Sequence, residues 1–261
     1  GVQKMARRHA LVRRLPSVET LGSTTVICSD KTGTLTQDQM TVRRIYVDGK
    51  QIDVGGVGYE PKGEFSIEGA AFTTAPNQAL TTLLSIGSLC SDTSLISENG
   101  DWKIKGDPTE GALVVVAAKA GLWQKDLNGQ SPRVGEIPFS SETKRMTTVH
   151  QSPQGKVAYA KGAPEVILSL CRDIFDNGQE RELSKKGREV VLGAAQTMAG
   201  DAIRVLGMAY KRLPENAVVS EDIERDMTFV GLAGMIDPPR EEVKEAVRVC
   251  TAAGIKSIMI T

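Results

Sequence analysis

The sequence predicts an α/β chain interrupted by an α+β insert, and three observations carry that prediction. Thr24 to Cys28 are β-branched and apolar, which suits a buried strand, and Asp30 stands at the strand's carboxyl end. Ile255 to Ile260 reads as a second strand of the same type. It follows a helix whose apolar residues Val243, Ala246, Val247 and Cys250 fall at i, i+3, i+4 and i+7. Between these two ends, hairpin signals such as Asp48-Gly49 and Asn99-Gly100 alternate with helical periodicity.

A chain of 261 residues has room for one or two domains. With 40% hydrophobic and 25% charged residues it can build a core without disulfides or metals. Lys plus Arg number 32 and Asp plus Glu 32, so the formal charge is zero. That balance argues against non-specific binding of nucleic acid. Cys28, Cys90, Cys171 and Cys250 are scattered, with no CxxC and no paired histidine, and they read as four reduced thiols. No apolar run approaches the roughly 18 residues of a membrane span. The clearest run, Ala112 to Ala118, stops at Lys119, and there is no signal-peptide pattern, so a soluble chain is expected.

In chain order, Gly1 to Arg14 sets Lys4, Arg7, Arg8, Arg13 and Arg14 among Val2, Met5, Leu11 and Val12. This is either a basic amphipathic helix or a solvated helix face. After the first strand, Gly33 allows a turn that no bulkier residue makes cheaply. Ligands of open α/β sheets bind outside the carboxyl ends of the strands. Asp30 is therefore expected as an exposed carboxylate beside backbone N–H groups and the Thr32 and Thr34 hydroxyls. A carboxylate so placed can attack phosphorus and form an aspartyl phosphate. An Asx-capped strand-to-loop turn would account for the same residues without chemistry. Val42 to Tyr46 and Gln51 to Val54 flank Asp48-Gly49 as a hairpin. Gly55, Gly56, Gly58 and Gly63 open no helix and read as a loop rather than a phosphate cradle; no GxxxxGK[ST] string occurs.

Pro76-Asn77 starts a helix through about Cys90, with Leu80, Leu83, Leu84 and Ile86 apolar. In Gly106 to Leu113, Asp107 reads as an N-cap, Pro108 as the first helical residue and Glu110 as the third residue of a capping box. That structural job suffices for Glu110. Met146 to Val149 and Lys156 to Ala160 flank Ser152 to Gly155. The second of these strands runs into Lys161-Gly162-Ala163-Pro164-Glu165 and a helix. Taken alone, Phe139 reads as core and Lys144 or Lys161 as a solvated strand-end lysine. Ser184 to Gly200 is a helix, and Ile203 to Tyr210 and Thr228 to Ala233 are strands. Asp237-Pro238-Pro239-Arg240 makes a stiff turn. Asp237 can cap the next helix, where Glu241 and Glu242 suit the positive end.

The uninterrupted string Asp30-Lys31-Thr32-Gly33-Thr34-Leu35-Thr36 resembles the phosphorylation signature of the P-type ATPases, cation pumps that cycle through an aspartyl phosphate. Four further blocks agree in order and spacing: Gly106 to Leu113, Phe139 to Met146, Lys161 to Glu165 and Asp237 to Arg240. The resemblance implies a nucleotide-binding domain, a mixed and largely antiparallel sheet with helices, at 42–232. It is inserted in a partial haloacid-dehalogenase-like Rossmann phosphorylation domain, at 1–41 and 233–261. It implies ATP and Mg²⁺ as cofactors. Asp30 would be the nucleophile with Lys31 and Thr32 beside it, and Asp30 and the Thr32 carbonyl would hold the magnesium. Glu110 would bond the adenine amino group and Phe139 stack on the ring. Lys144 and Lys161 would lie along the nucleotide, with Met146 in the same pocket. Gly162 would allow close backbone approach, Arg204 reach the phosphates, and Leu206 wall the base site. Thr261 would begin the family's Thr-Gly-Asp, and Asp237, Pro238, Pro239 and Arg240 would form the hinge.

Relatives often carry Arg where Ser141 and Thr143 stand, which implies less positive charge around the phosphates. The set of blocks most resembles the calcium-type branch. The membrane helices, the actuator domain and the remainder of the phosphorylation domain are not in this chain, so a fragment is expected that binds ATP without pumping. The rival is a soluble haloacid-dehalogenase-like phosphatase. Such enzymes place a second Asp two residues after the nucleophile, where this chain has Thr32, whose hydroxyl is a poor base.

Overall fold

In a computed structural model, residues 5–7, 21–74 and 77–261 are described. The chain divides into two compact units, unit 1 comprising 1–38 with 237–261 and unit 2 comprising Gln39–Ile236. The helix expected over 1–14 and the residues leading into the first strand fall almost wholly outside the described residues, as does Pro76.

Unit 1 opens with β1 (Val26–Asp30) and a turn over Lys31–Leu35. Unit 2 begins with β2 (Thr41–Val47) and β3 (Lys50–Val54), joined through Asp48-Gly49, where Asp48 takes a left-handed φ of 51°. Two-residue hairpins favour that conformation because its twist matches the strands. Two short strands follow, β4 (Phe65–Ile67) and β5 (Ala70–Ala71). Helix α1 (Gln78–Leu89) starts at Asn77, whose side chain accepts the Leu80 N–H at 2.7 Å. The hairpin of β6 (Ser94–Glu98) and β7 (Asp101–Lys105) turns at Asn99-Gly100. Then come α2 (Pro108–Lys119) and α3 (Gln124–Gln130). The meander β8 (Arg133–Ser140), β9 (Arg145–Ser152) and β10 (Gly155–Gly162) leads to α4 (Pro164–Leu170). β11 (Cys171–Asp176) and β12 (Gln179–Glu182) form a hairpin that was not anticipated, although Asn177-Gly178 signals it. The unit closes with α5 (Lys185–Gly200), β13 (Arg204–Arg212) and β14 (Met227–Ile236). The chain returns to unit 1 with α6 (Glu241–Ala252) and β15 (Lys256–Ile260).

Unit 2 is built on an 11-stranded sheet in the order β5-β4-β3-β2-β14-β13-β10-β9-β8, with β11 and β12 joined to it beside β14, and β6 and β7 form a separate two-stranded sheet. The pairings are antiparallel except β11 with β14. Two hydrophobic clusters form the core. One gathers α1 and α2 with Val157, Met208, Val230 and Ala233; the other gathers α4 and α5 with Ala158, Ala209, Phe229 and Leu232. Neighbouring strand residues thus alternate between the clusters, as the two-residue period of a strand dictates. A strand covered on both faces is apolar throughout, which is why β14 shows no alternation in its sequence.

Unit 1 departs from expectation in two ways. β1 and β15 pair in parallel, Val26 opposite Lys256 and Asp30 opposite Ile260, but neither is buried: Val26 is 44% exposed and Ile258 38%. The apolar stripe of α6 is likewise uncovered, with Ala246 and Val247 exposed and Val243 and Cys250 only half-buried. Among the described residues unit 1 has too few layers to cover them, since a strand is buried only when both faces are covered. Among the described residues no helix is long and apolar enough to cross a membrane.

Candidate functional site

Three of the sequence blocks, with Arg204 and Leu206 of β13, meet at one end of the unit 2 sheet. The strand register brings Met146 of β9 opposite Lys161 of β10, and Lys161 opposite Met208 of β13. Directly paired residues share a face, and so do residues two apart, so Met146, Lys161, Leu206 and Arg204 line the face on which α1 and α2 pack. Helix α2 is set by Asp107, whose carboxylate accepts the Thr109 and Glu110 N–H groups at 2.8 and 3.1 Å, with Pro108 in the first turn.

Glu110 does not close the capping box expected of it. Its carboxylate turns away and accepts the N–H groups of Asp92 and Thr93 at 2.8 and 3.1 Å, just past α1. Those amides have no helical partner and are the nearer need. The other carboxylate oxygen takes the Lys161 ammonium at 2.7 Å, and the same ammonium donates to Ser91 Oγ at 3.1 Å. Both partners are largely buried, with 8% and 15% of their side chains exposed. A buried cation is tolerated only when paired and hydrogen-bonded, so Lys161 depends on Glu110. Beside them Cys90 is fully buried, and that burial raises its thiol pKa despite the nearby Lys161 ammonium. It is an inert core thiol.

The surrounding residues are more open. Met146 is buried, while Phe139 is 64% exposed near the end of β8, at the bulged end where Ser140 pairs with Arg145. Lys144 is exposed in the turn between β8 and β9, with a left-handed φ of 52°. Gly162 is required by the protein's own packing, because a Cβ there would lie 2.5 Å from the Lys144 carbonyl oxygen. Arg204 is exposed and donates to the Thr109 hydroxyl at 2.9 Å, and Leu206 is half-buried against the α1 and α2 cluster. Two hollows of about 490 and 530 Å³ elsewhere in unit 2 are lined by none of these residues. The sequence blocks converge on the cluster and not on the hollows, so the cluster is the candidate site.

The second candidate lies within unit 1. Asp30, Lys31 and Thr32 are exposed at the carboxyl end of β1, and Thr261 is exposed after β15. Gly33 takes φ 74°, a conformation that admits glycine without steric cost. Thr36, not singled out from the sequence, closes the turn: its N–H reaches the Lys31 carbonyl at 3.0 Å and its hydroxyl accepts the Gly33 N–H at 3.3 Å. The Thr36 hydroxyl also meets Asp237 Oδ2 at 2.5 Å. Asp237 does not cap α6, whose N-cap position is Arg240. The first proline's carbonyl, that of Pro238, accepts the Gln37 N–H at 3.0 Å, and Arg240 reaches the Gly33 carbonyl at 3.0 Å. The Asp237–Arg240 segment is therefore tied side by side to the residues after Asp30.

Comparison with known proteins gives a consistent picture. A family model described as P-type ATPase, cytoplasmic domain N, matches residues 79–242. The chain is 44% identical to the cation-transporting ATPase pma1 of Synechocystis sp. over 270 residues, covering 100% of this chain and 29% of that protein. It is 38% identical to a calcium-transporting ATPase of Bacillus subtilis over 263 residues, covering 100% of this chain and 30% of the relative. The probable cation-transporting ATPase F of Mycobacterium tuberculosis is 42% identical over 264 residues, with 100% and 29% covered.

Proposed function

This chain belongs to the P-type ATPase family, and on that premise we propose that unit 2 binds ATP at the Glu110–Lys161 end of its sheet and that Asp30 accepts the γ-phosphoryl group in a cation pump. The observation that carries the reading is the convergence of Glu110, Met146, Lys161 and Arg204, far apart in sequence, on one face and one end of one sheet. Exposed Phe139 offers a face for adenine to stack on, at the same end. Glu110 Oε1 accepts one bond from Lys161 and has room for a second, from the adenine amino group. Exposed Lys144 and Arg204 supply the positive charge for phosphates, with Lys161 and Gly162 beside the nucleotide and Leu206 against the base.

The reading requires Mg²⁺. The Asp30 carboxylate and the Thr32 backbone carbonyl are exposed hard oxygens, the donor type magnesium takes alongside waters and phosphates. Among the described residues no group of three or more His, Cys, Asp or Glu forms a cage for a metal. When bound, the ion neutralises phosphate charge so that an anionic nucleophile can approach. Asp30 attacks the γ-phosphorus; an O–P bond forms as the bond to the bridging oxygen breaks, and ADP leaves. The Thr32 hydroxyl is a poor base, so the acyl phosphate persists. Lys31 accompanies the nucleophile, Thr261 stands at the end of the neighbouring strand, and Asp237 to Arg240 act as the hinge.

The chain spans about 30% of the length of the curated relatives it matches. Membrane helices, an actuator domain and the rest of a phosphorylation domain are the proposed partners in the parent pump, with this region on the cytoplasmic side. Calcium is the proposed ion, supported by the name of the Bacillus relative. The chain alone is proposed to bind ATP without pumping. Relatives named as pumps count against a soluble phosphatase. The test is calorimetric titration with ATP of the wild type, Lys161→Ala and Phe139→Ala, alongside radiolabelled ATP. Saturable binding weakened by both substitutions, with no label on Asp30, is expected. A folded wild type that binds no ATP would overturn the reading.

A further inference from the structure

Glu224 is the most deeply buried carboxylate of a described ion pair, with 1% of its side chain exposed. It lies at the end of a short helical turn (Glu221–Glu224) in the segment between β13 and β14. One oxygen accepts both Nε and a terminal nitrogen of Arg145, at 2.8 and 2.6 Å, and the other accepts the Thr147 hydroxyl at 2.6 Å. The two-point grip on Arg145 fixes the guanidinium in direction as well as position. Residues 224 and 145 are far apart in sequence, so this clamp ties the β13–β14 connection to the first residue of β9.

The residue before Arg145 is Lys144, and its backbone is held on both sides. Its N–H donates to the Ser140 carbonyl at 2.7 Å, and its carbonyl accepts the Ala163 N–H at 3.0 Å. It sits at φ 52°, a conformation a non-glycine residue keeps only when its surroundings impose it. Gly162 packs against this same carbonyl and against Arg145 Cα and Cβ. The exposed Lys144 side chain is therefore aimed by a backbone whose next residue is bolted down from behind.

We infer that Arg145 and Glu224 are positioning residues for nucleotide binding, acting through Lys144. The buried clamp holds the β8–β9 turn in the left-handed conformation that presents the Lys144 ammonium to the phosphates. The inference rests on the proposal that ATP binds at this end of unit 2. It deepens that proposal by giving phosphate recognition a supporting pair outside the resembling blocks' proposed contacts.

The test is a double-mutant cycle on the full chain, reading ATP affinity by calorimetry and Ala163 amide exchange by NMR. Glu224→Gln is expected to weaken ATP binding about tenfold in the wild-type background and less than about twofold in Lys144→Ala, because the two act through one contact. Arg145→Lys, which keeps the charge but not the two-point grip, should fall between wild type and Glu224→Gln, and it serves if Glu224→Gln does not fold. Equal losses in both backgrounds would mean a merely structural clamp and overturn the inference. The Ala163 amide should exchange faster in Glu224→Gln with no nucleotide present, and unchanged exchange would also overturn it. Absence of ATP binding by the folded wild type, with faster Ala163 exchange in the variant, would instead overturn the nucleotide reading and leave only the clamp on the turn.

Discussion

β14 and β1 are both apolar strands, yet β14 is buried at every residue but its last and β1 is exposed at all but one. The same contrast separates α2 from α6. α2 is buried from Gly111 to Ala118, whereas α6 has no buried residue although its apolar positions keep helical spacing. Local pattern therefore marks which face is ready to be covered, and the number of layers decides whether it is. Unit 2 supplies two helical layers around a broad sheet, and among the described residues unit 1 sets α6 beside two paired strands.

The largest effect that could break this comparison is a truncation in each unit. Phe229→Ala, at a residue 1% exposed, is expected to destabilise unit 2 by about 3–5 kcal/mol in denaturant unfolding. Val247→Ala, at a residue 40% exposed, should change stability by less than about 0.5 kcal/mol. Comparable losses would show that α6 is covered in solution. Next in size is the buried pair. Glu110→Ala leaves the Lys161 ammonium without its carboxylate and should cost about 3 kcal/mol, read as a lower midpoint in the same assay. A cost near zero would mean that Lys161 swings out to solvent.

The smallest effect sharpens the contrast through pH. His150 is fully buried in β9, bonded at one nitrogen to the Ser131 carbonyl and at the other to the Thr148 hydroxyl. Burial lowers its pKa from the ordinary 6.5; the Ser131 carbonyl opposes the shift and nearby Arg133 adds to it. Above the unfolded pKa neither state is charged, and the contribution to stability is whole. As pH falls below it, the unfolded chain takes up a proton that the folded chain resists, and stability drops until the folded pKa is reached. Thermal unfolding at about pH 7 and about pH 5.5 should show a larger drop for the wild type than for His150→Gln. Equal drops would mean that His150 takes no part.

Much of unit 2 was legible because its signals are local. Asp48-Gly49, Asn99-Gly100, the helix start at Asn77 and the Asp107 cap each act through a few neighbouring residues, and each appears where its chemistry puts it. The β11–β12 hairpin carried the same kind of signal in Asn177-Gly178 and went unread. Glu110 was identified as a cap or ligand residue, but its partner could not be read, since Asp92, Thr93 and Lys161 reach it only through the fold. Thr36 and Glu224 were missed for the same reason: their partners, Asp237 and Arg145, lie far away in sequence.

The sequence by itself determined most of the element types, the turn chemistry at Asp48-Gly49 and Asn99-Gly100, and the family, because the motif blocks are contiguous strings whose order and spacing are visible in one dimension. Tertiary structure alone decided which cation meets the buried carboxylates Glu110 and Glu224 and which apolar face is covered. Ion pairing falls off within a few ångströms and burial needs a second layer, and the residues that meet both conditions around Glu110 and Glu224 lie far away in the chain.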